Sequence, residues 1–370
     1  MQEKVLITDD VHESLVKGLE ATGFTCDYEP NITDEAVREI VSEYVGLIIN
    51  SKIKVDKRML DAAPRLRFVG RVGSGMEIVD RAYASERGVA VLSSPEGNRN
   101  AVGEHALGML LSLANNLNRA HLEVKKMDWQ REKNRGFELR GRTIGIIGFG
   151  HTGSSFAVKL LGLGMRILVY DKYLPSGFLE KMPFPVSNLR YPRFDTDGTT
   201  RDNREGIKTN LLSSTHTARN YSSELGRDFD GLNYEFSTIE EVSLKTLQEE
   251  ADIISFHLPL TDETKHFADA PFIKKCHKNV VLINTSRGNV VKTADLVAAL
   301  KTGKVAGACL DVFENEKTGT YTEGEKTLYK KLFAFDNVIV SPHVAGWTVE
   351  SKERLAKILL KKILRYEIPF

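Results

Sequence analysis

Short apolar runs alternate along the chain with segments whose apolar positions return at helical spacing. The runs 5–8, 46–49, 66–69 and 89–92 read as strands, and 15–19 as part of an intervening helix. Strand and helix in alternation predict a parallel sheet covered on both faces. This first α/β unit ends near Pro95. A long helical pattern follows from about 100 to 126, with Ala106, Met109, Leu110, Leu113 and Leu117 on its apolar face. A second α/β series has its strands at 143–147, 166–170, 252–256, 280–284, 305–310 and 338–340. A last helix covers about 349–365, and no solenoid period recurs. The rhythm stops between about 185 and 235, where Ser, Thr, Asn, Asp and Gly dominate without any period. We expect a poorly ordered insertion there, because a long structureless loop is unusual inside a compact domain.

Composition narrows the class. The chain has 370 residues, enough for about two domains. Basic and acidic residues number 51 and 50, a net charge of +1, which excludes a strongly basic nucleic-acid binder. No apolar run reaches the roughly 18 residues of a membrane span. The first residues lead straight into a strand-like run, so no secretion signal is expected. Cys26, Cys276 and Cys309 are far apart and form no C-x-x-C pair. They read as small buried side chains in a reduced, cytoplasmic protein. None of the nine histidines has another four residues away, and no metal site is expected.

Chemistry enters at Gly148-Phe149-Gly150-His151-Thr152-Gly153, which follows the strand at 143–147 and opens a helical run. In such a loop Gly148 allows the tight turn, Gly150 lets a pyrophosphate approach the backbone, and Gly153 lets helix and strand pack closely. The amides of His151 and Thr152 would face phosphates at a helix N-terminus. Asp171, at the end of the next strand, stands where a carboxylate would accept hydrogen bonds from the adenosine ribose. It would repel the extra phosphate of NADP, so NAD is the expected cofactor, although the adjacent Lys172 could soften that repulsion.

Three further segments put polar residues at strand C-terminal ends: 283–288, 310–316 and 340–347. Oxidising a hydroxy acid needs a cation for the carboxylate, a base for the hydroxyl proton, and a group that orients the base. Arg287 suits the first through its planar fork. His343 suits the second, and Glu316 the third. In the N-terminal unit, Gly70-Arg71-Val72-Gly73-Ser74-Gly75 follows a strand and can form an anion-binding nest. Arg71, Ser74 and Gly75 are therefore candidate substrate contacts. Asn98 is either a helix cap or a substrate contact.

Together these residues resemble the D-isomer-specific 2-hydroxyacid dehydrogenases, over nearly the whole chain except about 185–235. The segments that carry the resemblance are 70–75, 98–104, 257–261, 284–288, 311–316 and 342–343. Within the family the chain is most similar to short-form D-3-phosphoglycerate dehydrogenases. The resemblance implies that Arg287 binds the substrate carboxylate and that His343, paired with Glu316, is the acid/base. It places Asp311 near the nicotinamide carboxamide, and Thr285, Ser286, His257 and Gly346 along the cofactor cleft. It implies two doubly wound parallel-sheet α/β domains. The Rossmann-type cofactor domain (98–345) is inserted into a flavodoxin-like substrate domain (1–97 and 346–370). It also implies a homodimer acting on a small 2-hydroxy or 2-keto acid, with neither nucleic acid nor membrane as partner. D-3-phosphoglycerate would need a further cation, for which Arg71, Arg99, Arg131 and Arg135 are candidates. The alternatives are hydroxypyruvate or glyoxylate reduction, or an NAD-sensing role like that of the corepressor relatives. Two departures stand out: Glu77-Ile78 where the family usually has Asp-Asn, and Lys317 where a Pro often follows the Glu.

Overall fold

A computed structural model describes residues 3–175, 179 and 238–367. The chain divides into one body, Met1–Tyr173 with Phe236–Phe370, and a second unit, Leu174–Glu235. The expected insertion at 185–235 falls in the second unit, outside the described residues.

The body contains two parallel sheets. The first comprises β1 (Lys4–Ile7), β2 (Thr25–Tyr28), β3 (Gly46–Ile49), β4 (Phe68–Arg71) and β5 (Ala90–Ser93), in the order β2-β1-β3-β4-β5. The second comprises β6 (Thr143–Ile147), β7 (Arg166–Tyr170), β8 (Thr238–Glu241), β9 (Ile253–Phe256), β10 (Val280–Asn284), β11 (Val305–Leu310) and β12 (Val338–Val340). Its order is β12-β11-β10-β9-β6-β7-β8. These are the flavodoxin-like and dinucleotide-binding orders, the latter with one added strand, and every pairing is parallel. The α/β reading of the sequence thus holds.

Burial explains why the central strands read clearly. Gly46–Ile49 and Thr143–Ile147 are buried at every position, as strands covered on both faces must be. The edge strands Thr25–Tyr28 and Thr238–Glu241 were not anticipated. They carry Asp27 and Glu240, and so lack the apolar run. The expected single helix at 100–126 is two helices, Arg99–Ala114 and Leu117–Lys125. Asn116 adopts φ +52° between them, and Leu117 is exposed rather than core. Left-handed backbone interrupts a helix, and Asn tolerates it better than most residues.

The helix Val349–Glu367 returns the chain to the five-stranded sheet. Leu355, Ala356, Leu359 and Ile363 pack with Val5, Ile7, Ile48 and Phe68 into one core. The other face is filled by Leu6, Leu47, Ile49, Met59, Leu60 and Val69, among others. No described helix is long and apolar enough to cross a membrane. Leu359 is fully buried beneath this sheet. Leu359→Ala should lower unfolding free energy by ~2–5 kcal/mol, the usual range for emptying such a site. Urea denaturation measures this; a loss under ~1 kcal/mol would show that the helix packs loosely.

Candidate active site

The glycine loop lies at the switch point between β6 and β9, where strand order reverses. Gly148 has φ +90° and donates to the Tyr170 carbonyl at 2.9 Å. A Cβ on it would lie 2.5 Å from the His257 carbonyl oxygen, and a Cβ on Gly153 would strike the Gly148 carbonyl. Gly150 differs: nothing lies within 4 Å of where its Cβ would be. It precedes the ten-residue helix His151–Leu160, which has no side-chain cap. The first amides of that helix are orphan donors beside open space, the arrangement that receives an anion. Asp171 Oδ2 accepts from the Phe149 amide at 2.7 Å and Oδ1 from the Tyr173 amide at 2.9 Å. Lys172 is paired with Glu263 at 2.8 Å, which draws its charge away from Asp171.

His257 lies behind this loop rather than exposed in the cleft. Its Nε2 meets Ser255 Oγ at 2.9 Å and its Nδ1 meets Thr152 Oγ1 at 3.3 Å. The ring packs on Phe156, with centroids 5.5 Å apart. Burial pushes its pKa down to about 3, so it is neutral at physiological pH.

The segment after β10 is a turn built by Asn284, which the sequence reading had not singled out for this. Its Oδ1 accepts from the Ser286 amide and hydroxyl, at 3.1 and 2.8 Å, and its Nδ2 donates to the Arg287 carbonyl at 2.9 Å. Arg287 Nη1 donates to the Ser286 carbonyl at 2.7 Å, and Nε donates to Glu77 Oε1 at 2.8 Å. Arg287 and Glu77 come from different sheets, so this ion pair bridges them. Burial alone would raise the Glu77 pKa, but attraction to Arg287 outweighs it and holds the carboxyl below its ordinary value. Arg71 lies alongside. Its Nε donates to the Asn50 carbonyl at 2.9 Å, and its buried Nη1 has no partner.

His343 Nδ1 meets Glu316 Oε2 at 2.8 Å. Burial opposes ionisation of Glu316, yet the hydrogen bond and charge of His343, with a contribution from Arg287, keep its pKa lowered. His343 has φ +56°, a strained conformation for a residue with a side chain. Asp311 holds it there. The His343 amide donates to the Asp311 carbonyl at 2.7 Å. The Asp311 carboxylate accepts from the Val344 and Ala345 amides, at 2.9 and 2.8 Å, and from Ser341 Oγ at 2.6 Å. His105 Nε2 in turn meets Ser341 Oγ at 2.8 Å. Asp311 is fully buried, so in this structure its carboxylate shapes the loop.

Asn98 makes no side-chain cap on the helix Arg99–Ala114. Its Oδ1 is buried without a partner, and its Nδ2 lies 2.6 Å from where a Cβ on Gly346 would be. Thr285 Oγ1 and Ser94 Oγ are also buried and unpartnered. With Arg71 Nη1, these atoms lie at or just beyond strand C-terminal ends. Buried polar groups left unpaired are costly, and a ligand at these strand ends would complete their bonding. Arg131 and Arg135 lie in the loop beyond the helix Leu117–Lys125, where Arg135 is paired with Glu132. Ser74 is exposed, and Arg99 opens the helix after Asn98. Among the described residues no group of His, Cys, Asp and Glu could hold a metal ion.

Residues 107–189 and 224–345 match the family model described as D-isomer specific 2-hydroxyacid dehydrogenase, NAD binding domain. The chain is 30% identical to glyoxylate reductase of Thermococcus litoralis, covering all of this chain and 96% of that one. It is 28% identical to D-3-phosphoglycerate dehydrogenase of Methanocaldococcus jannaschii, over 99% of this chain but 58% of the relative's length. In structure it is similar to D-lactate dehydrogenase of Aquifex aeolicus complexed with NAD and lactic acid. There the TM-score is 0.73, with 26% identity and coverage of 98% and 95%.

The neutral, buried His257 generates a pH prediction. The unfolded chain takes up a proton at this residue below the ordinary value of 6.5, while the folded chain does not until about 3. Stability should therefore fall by about 1.4 kcal/mol per pH unit below 6.5 on account of this residue. Urea midpoints between pH 7 and 5 should fall less steeply in His257→Gln than in the natural chain. Equal slopes would show that His257 is solvated.

Proposed function

As this chain belongs to the D-isomer-specific 2-hydroxyacid dehydrogenase family, we propose that it is an NAD-dependent oxidoreductase acting at C2 of a D-2-hydroxy acid. The observation that carries this reading is the His343–Glu316 pair at 2.8 Å, close enough to Arg287 for that cation to act on Glu316. Base, orienting carboxylate and carboxylate-binding cation thus stand together. We assign the cofactor domain to 98–345 and the substrate domain to 1–97 with 346–370.

The residues present fit the cofactor. Open space at Gly150, the uncapped amides of His151 and Thr152, Asp171 at the end of β7 and the unpartnered Thr285 hydroxyl would hold a dinucleotide. When bound, NAD supplies the hydride acceptor for oxidation and, reduced, the donor for the reverse. The protein's part is separate. Arg287, with Arg71 nearby, binds and orients the acid, and Asn98 is a further candidate contact. In oxidation, His343 Nε2 takes the proton of the C2 hydroxyl while Nδ1 stays on Glu316, whose charge stabilises the imidazolium. In reduction, His343 returns that proton to the C2 oxygen.

For the substrate we favour D-3-phosphoglycerate. The relatives named for that activity support this reading. Hydroxypyruvate or glyoxylate is the second reading, favoured by Glu77, which offsets one of the two arginine charges.

Two measurements test this. NADH consumption should be fastest with 3-phosphohydroxypyruvate; preference for hydroxypyruvate or glyoxylate selects the second reading. NADH binding without turnover of any of these acids would refute the enzymatic role and favour a sensing one. His343→Ala should cut turnover at least ~100-fold, the low end of general acid–base contributions, with NADH affinity nearly unchanged. Gly150→Ala, where the new methyl meets no protein atom, should weaken NADH binding about tenfold or more, or 1.4 kcal/mol, while leaving the unfolding midpoint in place. Unaltered NADH affinity would remove that loop from the cofactor site.

A further inference from the structure

Glu77 stands in the active site without a role in the reaction just described. We propose that it is a positioning and specificity-determining residue: by holding Arg287 from the side, it presents two arginine N–H groups over Gly75 to the carboxylate of the 2-keto acid. The proposal rests on the functional reading above.

Glu77 engages Arg287 from the side. A substrate carboxylate binds best to a fork of two parallel N–H groups. Glu77 takes only Nε, at 2.8 Å, and the Ser286 carbonyl takes one Nη1 proton at 2.7 Å. The guanidinium plane is thereby fixed at two points. Nη2 accepts no such restraint among the described residues and points at Gly75, where a Cβ would collide with it. Arg71 is fixed in the same way, by Nε on the Asn50 carbonyl at 2.9 Å. Its unpartnered Nη1 lies 2.8 Å from that same Cβ position. Two restrained arginines from different sheets thus bring unrestrained N–H groups to Gly75, where Glu77 Oε2 also lies against the same Cβ position. Only a glycine leaves room for this packing of Arg287 and Glu77.

Charge makes the brace necessary. Arg71 is pressed below its ordinary value by burial and by the nearby charge of Arg287. Without Glu77 the two guanidinium groups would separate, and convergence over Gly75 would be lost. With it, one of the two arginine charges is offset. A side chain held in productive geometry before binding spares the substrate the cost of ordering it.

The test compares Glu77→Ala and Glu77→Gln with the natural chain. Initial rates over a range of keto-acid concentrations give kcat and KM, and fluorescence titration gives NADH affinity. Glu77→Ala should raise KM for the keto acid at least ~10-fold, the scale of one charge-assisted hydrogen bond. It should leave NADH affinity unchanged. Glu77→Gln keeps an acceptor for Nε and should recover most of the KM loss. An unchanged KM in Glu77→Ala overturns the proposal. So does a lowered KM, which would make Glu77 a competitor for Arg287, or a parallel loss of NADH affinity, which would make its role structural. Should the natural chain turn over no keto acid, the functional reading fails and carries this proposal with it. Activity that persists undiminished in Glu77→Ala removes only the role of Glu77.

Discussion

All strand pairings in the described structure are parallel, and this constraint locates the chemistry. A parallel sheet ends all its strands on one edge, and the chain must leave that edge through loops at each strand's carboxyl end. Arg71 closes β4, Asp171 follows β7, and His257 follows β9. Arg287 lies just beyond β10, Glu316 beyond β11 and His343 beyond β12. No single loop carries the site. It is assembled from residues hundreds of positions apart because the two sheets present these edges to each other, bridged by Arg287 and Glu77.

Within that edge, polar groups divide into two kinds. Some are fully engaged by the protein: Asp311 by two amides and Ser341, Asn284 by its own turn, His257 by Ser255 and Thr152. Others are buried with bonding capacity to spare: Arg71 Nη1, Asn98 Oδ1, Ser94 Oγ and Thr285 Oγ1. The first kind contributes rigidity, and the second costs stability in the free protein. That cost is tolerable only because the engaged groups prevent the loops from collapsing to satisfy the others. A site organised before its ligand arrives is the result.

Legibility in the sequence followed the same division. Central strands were readable because burial on both faces demands an apolar run, whereas β2 and β8, at sheet edges, carry acidic residues and gave no such signal. The helix break at Asn116 was hidden because apolar residues continue in phase across it to Leu117. The glycine loop and the residues Arg287, Glu316 and His343 were legible through local context. The service of Asp311 beneath His343, and of His257 behind Gly148, was not. Each depends on a partner that only the tertiary structure supplies. Glu77 was visible in the sequence merely as a departure, since its partner lies 210 positions away.

His343 shows how these elements depend on one another. Its backbone is held at φ +56°, a conformation that costs of order 1–3 kcal/mol for a residue with a Cβ. A free loop would relax away from it. Here the Asp311 backbone accepts from the His343 amide while its side chain accepts from the next two amides, so relaxation would strand a fully buried carboxylate. The penalty for exposing or unpairing that charge exceeds the strain it enforces. The imidazole is therefore aimed by a group that need never touch the substrate, and Glu316 has only to set its tautomer and charge. The separation has a physical logic. Asp311, sealed from solvent, is insensitive to what enters the cleft, while Glu316 and His343, both partly exposed, can respond to it.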